Sequence, residues 1–186
     1  MGNIPERTQK SILGLRKMIS CLNDKYDLSK KVIIEIGSWT GLSALEFQKH
    51  FKSVICIDPW KATEGINTQF NMNVVEKIFD ERTKDFKNIK KIKMTSEEAA
   101  AYFDYMTDSG QSTDNKFNFI YIDGCHTYEA VKQDLILWKD RIKNAICGHD
   151  YCSQFPGVIK AVDEIIGKPD IVFDDSSWIK FKKRGK

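Results

Sequence analysis

The sequence predicts an α/β protein built on a doubly wound, mostly parallel seven-stranded sheet that ends in a C-terminal antiparallel hairpin. Three observations predict it. Short β-branched runs alternate five times with amphipathic stretches, the pattern of right-handed crossovers onto a parallel sheet. The runs are nearly continuous in apolar residues, as in strands covered by helices on both faces. Acidic residues and histidines recur just past the ends of those runs, where an open α/β sheet binds its ligands.

The elements follow in order. Ile12, Leu15, Ile19 and Leu22 recur at helical spacing and predict an N-terminal helix, with residues 24–31 as a polar connector. Val32-Ile33-Ile34-Glu35-Ile36 is the first strand, and Gly37 and Gly41 permit a tight turn with close backbone approach to a ligand. Leu42, Leu45, Phe47 and Phe51 mark the first crossover helix. Ser53-Val54-Ile55-Cys56-Ile57 is the second strand, and Pro59 stops its pairing so that Asp58 sits at the tip. A polar loop spans 61–69. Phe70, Val74, Val75, Ile78, Phe79, Arg82 and Phe86 form the stripe of the next helix, and residues 89–94 the third strand. Thr95 and Glu98 form a capping box for the helix carrying Ala99, Tyr102, Phe103 and Met106, and a polar loop spans 108–116. Phe117 to Ile122 is the fourth strand, ending in Asp123-Gly124-Cys125-His126. Thr127 caps a helix with Tyr128, Val131, Leu135, Trp138 and Ile142 on its apolar face. Residues 145–148 are the fifth strand, ending in His149-Asp150-Tyr151. Pro156-Gly157 opens a last helix, and 171–173 with 178–181 read as the hairpin.

The expected organisation is one domain over 1–186, with residues 1–30 as helix and connector and 31–186 as the core. A hydrophobic fraction of 41% and a charged fraction of 30% are globular values, which argues against disorder. A net charge of +3 with no dense basic stripe argues against a nucleic-acid binder. The basic residues from Lys180 to Lys186 read as a solvated tail. Five cysteines with no Cys-x-x-Cys argue for reduced thiols rather than a disulfide framework. No apolar run approaches the ~20 residues of a membrane span, and the polar start is no secretory signal. Met1-Gly2 begins like a myristoylation motif, but Glu6 stands where that motif has Ser or Thr. A cytoplasmic protein is expected.

The polar residues converge on one sheet edge: Glu35, Asp58, Asp123, His126, His149 and Asp150. A carboxylate just before the glycine turn suits a cationic ligand better than a pyrophosphate, and the turn lacks Gly-x-Gly-x-x-Gly. Asp58 follows Gly41 at close to the ~20-residue offset of an acid that grips ribose hydroxyls. A ribose-bearing cation without phosphates is S-adenosylmethionine.

At these residues the chain resembles a known family. Glu35-Ile36-Gly37-Ser38-Trp39-Thr40-Gly41 and Ile57-Asp58-Pro59-Trp60 resemble the first two cofactor motifs of class I S-adenosylmethionine-dependent methyltransferases. Ile122-Asp123-Gly124-Cys125-His126-Thr127-Tyr128 and Gly148-His149-Asp150-Tyr151, with Pro156-Gly157-Val158, are similar to the small O-methyltransferases of glycan and natural-product pathways, including macrolide-sugar enzymes. The resemblance runs from about Lys31 to the C-terminus and implies a Rossmann-like methyltransferase fold. It also implies that Glu35, Gly37, Ser38 and Gly41 hold the methionine end of the cofactor. Asp58 would take the ribose, and Trp60 would lie near the adenine. Ser96 and Glu97 stand where the family often contacts adenine, although a simple helix cap accounts for them equally well. Asp123 is a candidate for both cofactor binding and catalysis.

An acceptor hydroxyl needs a base. His126 is the first candidate and His149 the second, because an imidazole titrates near neutral pH. Related O-methyltransferases often hold a divalent metal through an aspartate ending strand four and two acids ending strand five. Asp123 and Asp150 match two of those positions, and His149 replaces the third. Magnesium prefers oxygen, so that departure and Cys125 favour metal-free catalysis by histidine over a metal held by Asp123, Asp150 and His149. The expected function is O-methylation of a small molecule or sugar hydroxyl. The alternatives are a non-catalytic cofactor-binding or scaffolding member of the fold and an NAD-dependent oxidoreductase. Expected partners are the acceptor and no nucleic acid or membrane; association into a homo-oligomer is left open.

Overall fold

A computed structural model describes residues 4–62, 67–111 and 116–183. Gly65 of the loop over 61–69, the Met1-Gly2 start and the last three residues of the basic tail lie outside them, as do residues 112–115 of the loop over 108–116.

The apolar runs become seven strands: β1 Val32–Ile36, β2 Ser53–Ile57, β3 Ile89–Ile92, β4 Phe117–Ile122, β5 Ile142–Gly148, β6 Ile171–Val172 and β7 Trp178–Phe181. Their order is β3-β2-β1-β4-β5-β7-β6. The first five pair in parallel, and β7 lies antiparallel between β5 and β6. Among the described residues, six α-helices cover the sheet: α1 Gln9–Asn23, α2 Leu42–Phe47, α3 Met72–Thr83, α4 Ser96–Asp108, α5 Tyr128–Trp138 and α6 Pro156–Ile165.

Residues of one strand alternate between two cores, because successive side chains leave a strand on opposite faces. Ile33, Val54, Phe119 and Ala145 pack under α1, α2 and α3 with Leu15, Phe47 and Phe79. Ile34, Ile55, Ile120 and Ile146 pack under α4, α5 and α6 with Ala99, Leu135 and Val162. Both faces of the sheet are therefore dry, which is why the strands read as continuous apolar runs. Glu35 lies on the α1–α3 face, opposite Cys56 of β2 and Tyr121 of β4. It is a buried carboxylate in a layer of apolar side chains.

Several boundaries differ from the periodicity. Ile142 belongs to β5, not to the preceding helix: α5 ends at Trp138, a 3-10 turn follows, and Ile142 pairs with Phe117. Strand β3 stops at Ile92, since Lys93 turns out to Glu76 of α3. In α3 the inward face is Met72, Val75, Phe79 and Thr83, so Val74 is exposed. A helix starting at Met72 repeats inward at i+3 and i+4 steps, and Val74 falls between them. The caps at Thr95 and Thr127 form as expected, the first as a complete capping box.

Helix α1 is locked against the hairpin at a single glycine. A Cβ on Gly14 would lie 1.9 Å from the carboxyl carbon of Asp175, whose oxygens accept from the Ser177 amide and hydroxyl. Gly14→Ala is therefore expected to destabilise the chain by about 1–3 kcal/mol, as overpacking of a filled site does. A thermal melt checks this; an unchanged midpoint would mean that the Asp175 side chain swings away freely.

Candidate functional site

Strand order reverses between β1 and β4, and an open cleft of about 1510 Å³ lies beyond their carboxyl ends. Ser38, Asp58, Ser96, Glu97, Asp123, His126, His149 and Asp150 all line it. The parallel register brings them together: every crossover returns the chain in the same direction, so the tips of β1, β2, β4 and β5 share one edge.

The turn after β1 is made by backbone that only special residues adopt. Gly37 and Gly41 both have φ 85°, and a Cβ on Gly37 would lie 2.3 Å from the Asp123 carbonyl oxygen. Glycine at 37 is thus what allows β1 and β4 to close around the cleft floor. Trp39 and Trp60 also have positive φ, 47° and 42°, and Asp58 pins both. Its carboxylate accepts from the Trp39 amide at 3.0 Å and from the Trp60 amide at 2.7 Å. Burial raises its pKa, against the pull of those amides. Each Asp58 oxygen keeps a further lone pair for a ligand.

Trp60 departs from its expected place. Its indole is 2% exposed, sits 4.8 Å from the Phe79 ring under the Lys91 ammonium, and donates to the Trp39 carbonyl. It packs in the core and does not line the cleft. The positive φ turns the side chain back under the turn that it was expected to leave.

Under the turn lies the buried Glu35. Burial pushes its carboxyl up to about 7, against the pull of the nearby Ser43 and Ser38 hydroxyls and of Arg7. Glu35 Oε1 and Ser38 Oγ are both buried without a hydrogen-bond partner among the described residues. Unpaired buried polar atoms cost about 1–3 kcal/mol each. Ser38 lines the cleft, whereas Glu35 is fully buried and does not. Ser96 accepts from the Trp138 indole at 2.8 Å and Glu97 from Gln133 at 3.1 Å, at the far end of the cleft beside Asp134.

The tips of β4 and β5 form a charged cluster. Asp150, with φ 63°, is held in a conformation that few non-glycine residues adopt. One of its oxygens lies 2.9 Å from His126 Nε2 and the other 2.9 Å from His149 Nδ1. The Asp150 contact raises the His126 pKa despite its burial; at His149 burial is the largest single effect and lowers the pKa, but Asp150 and Asp123 together raise it. Burial would raise the Asp150 carboxyl, but the two imidazoles hold it far below the usual carboxylate range. His126 remains 41% exposed to the cleft, whereas His149 is enclosed, its Nε2 3.7 Å from Asp175.

Four participants were missed in the sequence. Arg7 pairs with Asp123, Tyr121 accepts from Arg7 at 3.1 Å, Asp175 faces His149, and Asp134 lines the cleft with Ser96 and Glu97. Tyr121 reads as one more apolar residue of a strand, Asp175 as a turn residue and Arg7 as part of a polar start. Nothing in local pattern marks them.

Among the described residues, the group that could hold a metal is Asp123, His126 and Asp150, whose ligand atoms lie within 4.8 Å of one another; His149 flanks it, 2.9 Å from Asp150. Those ligands are already engaged. Asp150 serves two imidazoles, and Asp123 carries the Arg7 guanidinium. As arranged, the cluster does not fit a dication.

A glycine turn with orphaned acceptors at β1, an acid at the tip of β2 and a histidine pair across the switch point define a Rossmann-like enzyme for an adenosyl cofactor. A model of the family described as "Methyltransferase domain" matches residues 34–151, well over half of the chain. The chain belongs to this family, and it is an S-adenosylmethionine-dependent methyltransferase. A search of curated proteins gave no match.

Solved structures share the fold at low identity. A TDP-rhamnose 3'-O-methyltransferase of calicheamicin biosynthesis aligns with a TM-score of 0.63 at 13% identity, over 94% of this chain and 81% of that one. A putative caffeoyl-CoA O-methyltransferase from Staphylococcus aureus aligns with a TM-score of 0.61 at 16% identity, over 97% and 86%. Fibrillarin from Aeropyrum pernix, with S-adenosyl-L-methionine bound, aligns with a TM-score of 0.53 at 10% identity, over 90% and 75%. No described helix is long and apolar enough to cross a membrane.

Proposed function

We propose that the enzyme transfers the methyl group to a hydroxyl oxygen of a small molecule or sugar, with His126 as the base. The observation that carries this is the His126–Asp150 contact at 2.9 Å in an open part of the cleft. An aspartate on Nε2 fixes the neutral tautomer with its proton there and leaves Nδ1 bare to take a proton from the acceptor. The cofactor, when bound, supplies an electrophilic methyl on a sulfonium. The chain's own part is alignment and proton removal, and alignment alone can reach an effective molarity of about 10⁵ M or more.

The cofactor assignments follow from where acceptors are left over. Glu35 and Ser38 suit the ammonium end, Gly37 and Gly41 give the backbone approach, and Asp58 suits the ribose hydroxyls. Ser96 and Glu97 suit the adenine. His149 holds Asp150 from the other side and is a positioning residue. Asp123 closes the cluster beneath the acceptor. No step here passes through a metal. Oxygen methylation draws support from the sugar and caffeoyl-CoA enzymes that share the fold, and a hydroxyl is the acceptor that needs a histidine base.

The test is methyl transfer from labelled S-adenosylmethionine to a panel of free sugars, nucleotide sugars and catechols. Label is expected in an ether on at least one hydroxylated acceptor. Label found only on amines or thiols would overturn the oxygen assignment.

A further inference from the structure

The residue that no motif covers is Arg7, and the segment bearing it is latched across the cleft. The Pro5 carbonyl accepts from the Trp39 indole at 3.0 Å. Glu6 accepts from the Thr40 hydroxyl at 3.0 Å and pairs with Arg82 at 3.1 Å. Trp39 and Thr40 belong to the glycine turn, so this segment is fastened to the cofactor side of the site. Two residues on, Thr8 caps α1 by accepting from the Ser11 amide at 3.1 Å. Between the two anchors Arg7 reaches down to the tip of β4. Its side chain is 13% exposed, it donates to the Ser11 hydroxyl at 2.9 Å and to the Tyr121 hydroxyl at 3.1 Å, and it forms an ion pair with Asp123.

We infer that Arg7 is the resident cation of the acceptor site, a positioning residue that takes up Asp123 and keeps divalent metal out of the Asp123–His126–Asp150 cluster. The inference rests on reading this cluster as the acceptor site. Three ligand atoms within 4.8 Å would otherwise be an attractive cation site. A guanidinium on one oxygen of Asp123 changes that in two ways. It neutralises the carboxylate that a metal would need, and it sets a fixed positive charge beside the remaining oxygen, which faces His126 and His149 at 3.9 Å. Two cations held a few ångströms apart in a partly dry site repel strongly. A burial-tolerant, always-charged fork suits this task better than a metal that must be captured from solution. Because the latch runs through Thr40, the cation and the cofactor turn are held as one unit.

The experiment is a titration of the full chain with Mn²⁺ alone, followed by calorimetry and by the paramagnetic signal of free Mn²⁺. The native protein is expected to show no saturable site below about 1 mM. Arg7→Gln is expected to gain one Mn²⁺ per chain with at least tenfold tighter binding, and Arg7→Gln with Asp123→Asn to lose it again. Arg7→Lys keeps the charge and is expected to stay metal-free. S-adenosylhomocysteine affinity, measured on the same proteins, reports whether the cleft is intact. One Mn²⁺ bound tightly by the native chain would overturn the inference whatever the variants do. So would a folded Arg7→Gln that binds cofactor product but gains no metal. Neither result touches the assignment of methyl transfer to oxygen, which the labelled-acceptor assay decides separately.

Discussion

His126→Ala is expected to lower turnover by about 10²–10⁴-fold, the usual contribution of a positioned general base, while leaving S-adenosylhomocysteine affinity within a few-fold of native. Its imidazole touches Asp150 and the Phe155 ring, 4.7 Å away, and lies 3.9 Å from Asp123, apart from Glu35, Ser38 and Asp58 at the tips of β1 and β2. The pH profile adds a sign that a merely structural role would not give. The Asp150 contact is the main cause of the raised His126 pKa, and a base works only when unprotonated. Activity must therefore rise with pH, with its acid limb centred above the ordinary imidazole value of about 6.5. Asp150→Asn removes the charge that raises that pKa, so the limb should move to lower pH even as turnover falls. Rate measurements at saturating cofactor between about pH 5 and 9 decide this. A fully active His126→Ala enzyme would remove the base assignment, and a limb unmoved in Asp150→Asn would show that another group titrates.

Asp58→Ala should abolish measurable cofactor binding. The carboxylate does two things at once. It pins the amides of Trp39 and Trp60, both held at positive φ, and it faces the cleft with lone pairs to spare. Removal leaves two buried donors unpaired, at about 1–3 kcal/mol each, and lets the turn that carries Ser38 relax. The cofactor would lose its ribose partner in the same change. Calorimetric titration with S-adenosylhomocysteine is the check, with a thermal melt run alongside. Unchanged affinity in a folded Asp58→Ala protein would remove the ribose assignment. Asp58→Asn separates the two roles: it keeps hydrogen-bonding atoms near the turn but gives up one acceptor, so a weaker loss is expected than for alanine.

The two results would bear on opposite ends of the cleft. They also fail independently, since Asp58 and His126 belong to β2 and β4 tips on either side of β1. Loss of affinity with normal pH behaviour speaks for the cofactor half alone. A displaced acid limb with normal affinity speaks for the acceptor half.

Much of this molecule was legible from local pattern, and the reasons are specific. A strand buried on both faces must be apolar at every position, so β1, β2 and β4 show themselves without any partner being known. Alternation of strand and helix then leaves few arrangements, because crossovers are right-handed. Parallel strands put all their carboxyl ends on one edge, which is why Asp58, Asp123, His126, His149 and Asp150 could be gathered into one cleft by counting alone. Glu35 stood out as a charge inside an apolar run.

Direction of side chains was decided only in three dimensions. Trp60 follows Asp58 in the chain and was expected beside the ligand, but a positive φ turns its indole beneath the turn and against Phe79. His126 joins Asp123 and Asp150 in the group that could hold a metal, while Asp150 stands between the two imidazoles at 2.9 Å from each. Arg7 lies 116 residues from the aspartate it pairs with. No periodicity or spacing encodes such a contact: it exists because α1 packs over the α2 side of the sheet, with Gly14 fitted against Asp175, and this sets its first turn above the tip of β4. The sequence by itself determined the sheet, its polar edge and the cofactor that edge accepts. Tertiary packing decided which charge neutralises which, since pairing depends on distances between segments far apart in the chain.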